Sequence, residues 1–283
     1  MKIKNILLNA TFFLAIALMV QSCGSAKKES KESEASAEEA VEEESVSSEP
    51  VNNTLTEAEK AEGWILLFDG ETPGAWRGYQ KENFPAAWNV EDGALHIQGS
   101  GRGEVGSKDG GDIIYPAKKF GEFHYKLEWK VSEGGNSGIF YLGQEIPEFD
   151  YIWKSAPEMQ VLDNVNHPDA NKGKDGNRQA GSLYDLIPAQ PQNAKAVGEW
   201  NQVEIIVKDR KVKHIQNGEV VVEYDIESDE FKELIKDSKW PPINPNWADF
   251  TEAGYFGLQD HGDDAWFRNI KVKPLESESE PAS

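Results

Sequence analysis

The segment P-E-M-Q-V-L-D-N, residues 157–164, sets Glu158 and Gln160 two apart, with Asp163 three residues further on. A carboxyl and an amide on one side of a strand can bind hydroxyl groups, and the carboxyl can also take or give a proton. Successive side chains of a strand point to opposite faces. Met159 and Val161 are therefore expected in a core, with Glu158 and Gln160 on the other side. One extra residue in a bulge would bring Asp163 round to that side as well. The pattern fits either a sheet with one wet face or a carboxylate-lined cleft. A second run, G-L-Q-D-H-G, sets Gln259 and His261 two apart, while Phe256, Leu258 and Asp260 alternate away. An imidazole titrates near neutral pH, which suits a base or proton shuttle. The alternative is a strand-end histidine bonded to Asp260, Asp263 or Asp264.

Further candidates lie in turn-rich stretches. Tyr184 in G-S-L-Y could donate to an oxyanion or be a structural aromatic. Asn136 in G-G-N-S-G could bind substrate or cap a turn. His167 in V-N-H-P-D lies near Asp163 and Asp169. These three could form an oxygen-rich site with one imidazole for a divalent metal ion, or an ordinary polar loop. Arg268, flanked by Phe267 and Ile270, is expected to pair a buried carboxylate. No serine sits in a nucleophile elbow. G-S-G-R-G-E-V-G, residues 99–106, lacks the strand, helix and Lys-Ser/Thr context of a phosphate loop.

The elements that must position these residues are mostly strands. E-F-H-Y-K-L-E-W-K-V, residues 122–131, alternates cleanly. Asp92-Gly93 and Asn217-Gly218 read as hairpin turns. Thr56 with Glu59 three residues on reads as a capping box opening a short helix, and 227–237 as a second helix. Many strands, frequent turns and few helices predict an all-β sandwich or barrel, and no fixed-period repeat suggests a propeller. Nine tryptophans exceed what such a core needs. Trp76, Trp153 and Trp247, in Pro- or Gly-rich surroundings, are the better candidates for stacking on a sugar ring.

The 283 residues carry a formal charge of −21, which argues against a nucleic-acid partner. Residues 1–22 read as a signal peptide, with Lys2 and Lys4 ahead of an apolar stretch too short for a membrane span. V-Q-S-C is similar to a bacterial lipobox, so Cys23, the one cysteine, is expected to be acylated after cleavage. With one cysteine no internal disulfide can form. Residues 23–53, rich in Glu and Ser, are expected to be a disordered acidic tether. The globular domain is expected over 54–275, followed by a disordered tail over 276–283. The anchor would hold the protein at the membrane in the cell envelope, and Lys27 and Lys28 lean towards the periplasmic face.

Seven motifs in order then carry a resemblance: G-W-I-L-L-F-D-G, G-E-F-H-Y-K-L-E-W-K with G-N-S-G-I-F-Y, P-E-M-Q-V-L-D-N, A-G-S-L-Y, G-E-W-N, N-G, and G-L-Q-D-H-G with W-F-R-N-I-K-V. Over residues 63–274 the chain resembles the 3-keto-disaccharide hydrolase family. The resemblance implies a concanavalin A-like jelly roll of two curved antiparallel sheets, with a ligand groove on the concave face. It also implies glycoside substrates already oxidised at C3 by a separate oxidoreductase. Glucanases of the same architecture carry an acidic strand of the form E-x-D-x-x-E, whereas here it reads E-x-Q-x-x-D. The amide at Gln160 puts a retaining double displacement in doubt, because that route needs two carboxyls with separated pKa values.

A 3-keto group offers another route. It acidifies the C2 proton, and the resulting enolate can expel the C1 substituent before water adds. That chemistry needs a base, an acid and a donor or metal at the C3 oxygen. Glu158, His261 and Asp163 are the expected catalytic residues. Asn136, Gln160, Tyr184, Gln259 and Trp153 are the expected substrate binders. A divalent ion, with Asp163 and His167 as candidate ligands, is the one cofactor the residues allow. The competing readings are a glycan-binding module without chemistry and a conventional retaining glucanase.

Overall fold

The computed structural model describes residues 51–247, 249–250 and 253–276. The expected signal peptide, Cys23 and the tether up to residue 50 lie outside these residues, as does the tail from 277. In chain order the strands are β1 (Ile65–Leu66), β2 (Arg77–Gly78), β3 (Trp88–Glu91), β4 (Ala94–Ile97), β5 (Ile113–Phe120), β6 (Phe123–Val131) and β7 (Asn136–Gly143). They continue as β8 (Glu158–Leu162), β9 (Asn201–Lys208), β10 (Lys211–Gln216), β11 (Glu219–Asp225), β12 (Gly254–Leu258) and β13 (Ala265–Pro274). The helices are α1 (Glu57–Ala61), α2 (Asp229–Lys236) and α3 (Trp240–Ile243).

One sheet runs β11-β10-β9-β6-β13-β4-β3, with β1 also paired to β13, and the other runs β2-β5-β12-β7-β8. Every pairing is antiparallel. This is the all-β sandwich expected from the strand pattern, in the concanavalin A-like jelly-roll form that the resemblance implies. Alternation makes it: Phe123, Tyr125, Leu127, Trp129 and Val131 of β6 all point inward and are buried. They share one apolar core with Ile139, Tyr141, Met159, Val161, Phe256 and Leu258 of the other sheet. Burying side chains of this size contributes roughly 1.5–3 kcal/mol each.

Local signals act where they were read. Asp92-Gly93 and Asn217-Gly218 both turn through positive φ, which two-residue hairpins require. Thr56 and Glu59 form the reciprocal capping box. Asn53, just ahead of the expected start, is already buried and exchanges hydrogen bonds with Asn269. Arg268 pairs with Glu128 at 2.7 Å. Two tryptophans differ from expectation. Trp76 is a core residue whose indole N–H donates to the Leu67 carbonyl at 2.9 Å. Trp247 is buried against Trp240, ring on ring at 4.5 Å.

A polar chain crosses the core. His214 Nδ1 lies 3.0 Å from the Gly181 carbonyl, which can only accept, so the proton sits on Nδ1. Nε2 then accepts from the Tyr141 hydroxyl at 2.7 Å, and Tyr141 accepts from the Tyr224 hydroxyl at 2.8 Å. The chain ties both sheets to the segment following β8. Burial lowers the His214 pKa to about 4. An unfolded histidine takes up a proton below about pH 6.5, and the folded one refuses it until about pH 4. Stability is therefore complete above pH 6.5 and falls on acidification towards pH 4, by about 3 kcal/mol in all. In His214→Phe, which strands two polar partners, denaturant melts should show a loss of about 2 kcal/mol at pH 7. The gap to wild type should close by pH 4.5, and an undiminished gap there would rule out this coupling.

Candidate active site

The edge strand β8 has Met159 and Val161 in the core and Glu158 and Gln160 on the outer face of the five-stranded sheet. Its free edge is covered by a strand-like segment. Gly181 N–H donates to Gln160 O at 2.8 Å, Gln160 N–H to Ser182 O at 3.0 Å, and Tyr184 N–H to Glu158 O at 3.0 Å. This pairing brings Tyr184 beside Glu158. A cavity of about 460 Å³ lies over that face. Asn136, Gln160, Tyr184, Gln259 and His261 line it together with Glu158 and Trp153, so seven of the eight expected catalytic and binding residues converge.

Glu158 is 5 % exposed. Its carboxyl occupies the space that a side chain at position 138 would fill, since a Cβ on Gly138 would overlap Glu158 Oε1. Removal from water is the main reason its pKa rises to about 8, opposed by Lys239 and reinforced by Asp112, Asp169 and Asp185. It therefore holds its proton at neutral pH. Gln160 Oε1 accepts the Val161 N–H at 3.1 Å, which leaves the amide NH₂ to donate into the cavity. Asp112, immediately before β5, is a second buried carboxyl on the wall, raised to about 7 by burial and by the neighbouring Asp260 charge. Four of the lining side chains carry a buried polar atom without a partner: Asp112 Oδ2, Asn136 Oδ1, Trp240 Nε1 and His261 Nδ1. Such atoms are costly, and these four belong to residues around one cavity.

β12 ends at Leu258, so the expected alternation of Gln259, Asp260 and His261 gives way to a turn and Asp260 lines the cavity too. The glycine-rich stretch after β4 explains the turn. Asp260 accepts N–H bonds from Ser107 (2.9 and 2.8 Å), Gly111 (2.6 Å) and Gly262 (3.0 Å). A Cβ on Gly110 would overlap that carboxylate. Ser100 and Gly101 both donate to Gly262 O. This glycine-rich loop clamps the turn carrying His261.

A third wall comes from the helical segment. Lys239 Nζ stands 4.4 Å over the Tyr184 ring, 4.8 Å over the Trp240 ring and 3.6 Å from Asp185. Tyr184 gives its hydroxyl proton to Asp169 at 2.9 Å, so it is not free to donate to an oxyanion as expected. Arg178 bonds both Asp169 and Asp185 beneath it. Trp153 stacks on Tyr151 at 6.0 Å and is tilted against Trp240, which gives the cavity an aromatic end.

Asp163 is the exception among the expected catalytic residues. β8 stops at Leu162 with no bulge, and Asp163 lies outside the cavity wall. Its carboxylate accepts from Gly134 N–H (2.8 Å), Val165 N–H (2.9 Å), Asn166 N–H (3.2 Å) and the Asn166 amide (2.8 Å). Burial alone would raise its pKa, but these donors outweigh burial and hold it below the usual carboxylate range. It caps its own loop. Asp163, His167 and Asp169 do not converge as metal ligands either: His167 Nδ1 accepts the Asp169 N–H at 3.1 Å. His167 instead faces His261 and Asp263, whose nitrogen and oxygen atoms lie within 4.8 Å of one another, a spacing within which a cation could be held. Asp112, Lys239 and Trp240 went unread in the sequence. Only the acid directly ahead of the apolar run I-I-Y, in the case of Asp112, could have signalled one of them.

Comparison with known proteins agrees with this geometry. Residues 63–273 match the model of the 3-keto-alpha-glucoside-1,2-lyase-like domain. The chain is 50% identical over 232 residues to the 3-keto-disaccharide hydrolase of Bacteroides thetaiotaomicron, covering 76% of this chain and 80% of that protein. It is similar to a provisionally named glycosyl hydrolase from Parabacteroides distasonis, at TM-score 0.70 and 30% identity over 80% of this chain and all of that one. A second structure from that organism with the same provisional name aligns at TM-score 0.51 and 25% identity, over 71% of this chain and 99% of the other. The chain therefore belongs to the 3-keto-alpha-glucoside-1,2-lyase-like domain family.

Proposed function

We propose that the protein cleaves 3-keto-glycosides by elimination at C1 followed by hydration, with His261 as base and Glu158 as acid. Family membership and the half-identical hydrolase make it a glycoside-cleaving enzyme. The observation that carries the finer reading is a buried, protonated carboxyl on the wall of a cavity that His261 and Lys239 also line. His261 takes the C2 proton, and the C–H electrons form the C2–C3 enolate. Lys239, whose ammonium lines the cavity, stabilises the charge on the C3 oxygen. The enolate re-forms the ketone and expels the C1 oxygen, which takes the proton of Glu158. Water then adds at C1 of the enone.

Gln160, Asn136 and Gln259 bind sugar hydroxyls in this scheme, and Trp153 stacks on the aglycone. Tyr184 is a wall and a seat for Lys239. Asp163 shapes a loop and takes no part in the chemistry. A glycan-binding module would have no need to keep a carboxyl protonated. Two further features belong to the same reading: acylation of Cys23, which would hold the enzyme in the cell envelope on its periplasmic side, and a separate oxidoreductase that supplies the C3-oxidised sugar.

Because Glu158 must carry its proton, kcat/KM should fall tenfold per pH unit above about pH 8. Glu158→Gln should remove that limb and lower kcat by about 10²–10⁴-fold, most of all for poor leaving groups. An alkaline limb that survives the substitution assigns the acid elsewhere. Gly138→Ala would displace the Glu158 carboxyl, and should cost about 10²-fold in kcat with the fold intact by circular dichroism. In D₂O, proton NMR should show deuterium entering C2 of a 3-keto-glucoside with wild type and not with His261→Ala. Cleavage by wild type without exchange or enone formation would contradict the enolate route.

A further inference from the structure

We infer that Asp263, braced by His167, is the positioning residue that fixes His261 with its proton on Nδ1 and its lone pair on Nε2, facing the cavity. The inference deepens the reading of His261 as base and rests on it for its kinetic consequence alone; the tautomer stands on geometry.

The chain of donors starts at His167. Its Nδ1 accepts the Asp169 backbone N–H at 3.1 Å, closing the cap of the 3₁₀ turn Pro168–Asn171. A ring nitrogen that accepts bears no proton, so in the neutral ring the proton is on Nε2. Its Nε2–H points towards Asp263 Oδ2, 4.0 Å away. The same Oδ2 lies 3.7 Å from His261 Nδ1, a buried nitrogen without another partner. The two imidazoles stand edge to face at 5.8 Å. Both distances exceed a hydrogen bond, as resting catalytic contacts often do. A small swing of the partly exposed Asp263 side chain would bring Oδ2 within hydrogen-bond reach of His261 Nδ1.

Two other acids near this turn are committed elsewhere. Asp260 is filled by backbone N–H groups, and Asp264 bonds His96 Nε2 at 2.8 Å. Asp112 lines the cavity beside His261, with Oδ1 accepting the Asp260 N–H. When His261 Nε2 takes the C2 proton, the new imidazolium keeps its Nδ1–H towards the Asp263 carboxylate, whose charge stabilises the cation. A cation held by this trio would need the His167 Nε2 lone pair. That requires His167 to shift its proton to Nδ1 and lose the bond from Asp169. The proton arrangement and the metal arrangement therefore exclude each other.

Long-range proton–nitrogen NMR on the full chain labelled with ¹⁵N-histidine separates them. The chain has five histidines, so His261→Asn and His167→Gln suffice to assign both rings. His261 should read as the Nδ1–H tautomer and His167 as the Nε2–H tautomer. Asp263→Asn should shift His261 towards Nε2–H and lower kcat on the order of 10²-fold, with KM nearly unchanged and partial rescue by Asp263→Glu. An Nε2–H tautomer at His261 in the wild type overturns the inference. So does Asp263→Asn with unaltered tautomer and kcat. Stoichiometric uptake of Zn²⁺ or Mn²⁺ that perturbs both rings, with chelation abolishing activity and metal restoring it, also overturns it in favour of a metal centre. Because the tautomers are read on the resting protein, failure of the proposed reaction would leave this inference testable by itself.

Discussion

The site depends on keeping one carboxyl group out of water. Glu158 stands on the outer face of a sheet, where a strand side chain would ordinarily be hydrated and ionised. Gly138 gives it a recess on the neighbouring strand, the segment through Tyr184 covers the sheet edge, and Trp153 and Trp240 wall the cavity. Losing hydration destabilises the charged form, so the proton stays on at neutral pH. The sandwich core supplies the rigidity that makes this burial reproducible, because Met159 and Val161 pin the same strand from the inner face.

The remaining parts divide the work. The sheet carries the carboxyl of Glu158 and the amide of Gln160. The clamped turn after β12 carries His261, held by an aspartate whose oxygens are filled by backbone N–H groups. The helical segment delivers Lys239 and Trp240, and a pair of aspartates bound to Arg178 supports Tyr184 beneath them. The carboxyl, the imidazole and the ammonium thus come from three separate elements of the chain.

Much of this was legible in the sequence, and the failures have physical causes. Period-two alternation in β6 and β8 reported which faces are buried, and it placed Glu158 and Gln160 together. Alternation failed once a strand ended. Asp163 follows the last residue of β8, where local N–H donors capture a carboxylate more readily than a distant cleft does. Asp260 follows the end of β12 and turns inward for a like reason, bound by donors some 150 residues away in sequence. Trp76 and Trp247 lie in turn-rich surroundings yet fill the core, because ring burial outweighs local composition. Asp112 and Lys239 were hard to read because the carboxyl and amide they join in the cavity, Glu158 and Gln160, lie far from them in sequence.

The most direct test is the ionisation of Glu158 itself, followed by carbon NMR of ¹³C-carboxyl-labelled protein, with Glu158→Gln to identify the signal. The proton should remain in place until about pH 8. A Glu158 signal that titrates with an ordinary carboxyl pKa of about 4.3 would show a hydrated, ionised group and contradict its part as the acid.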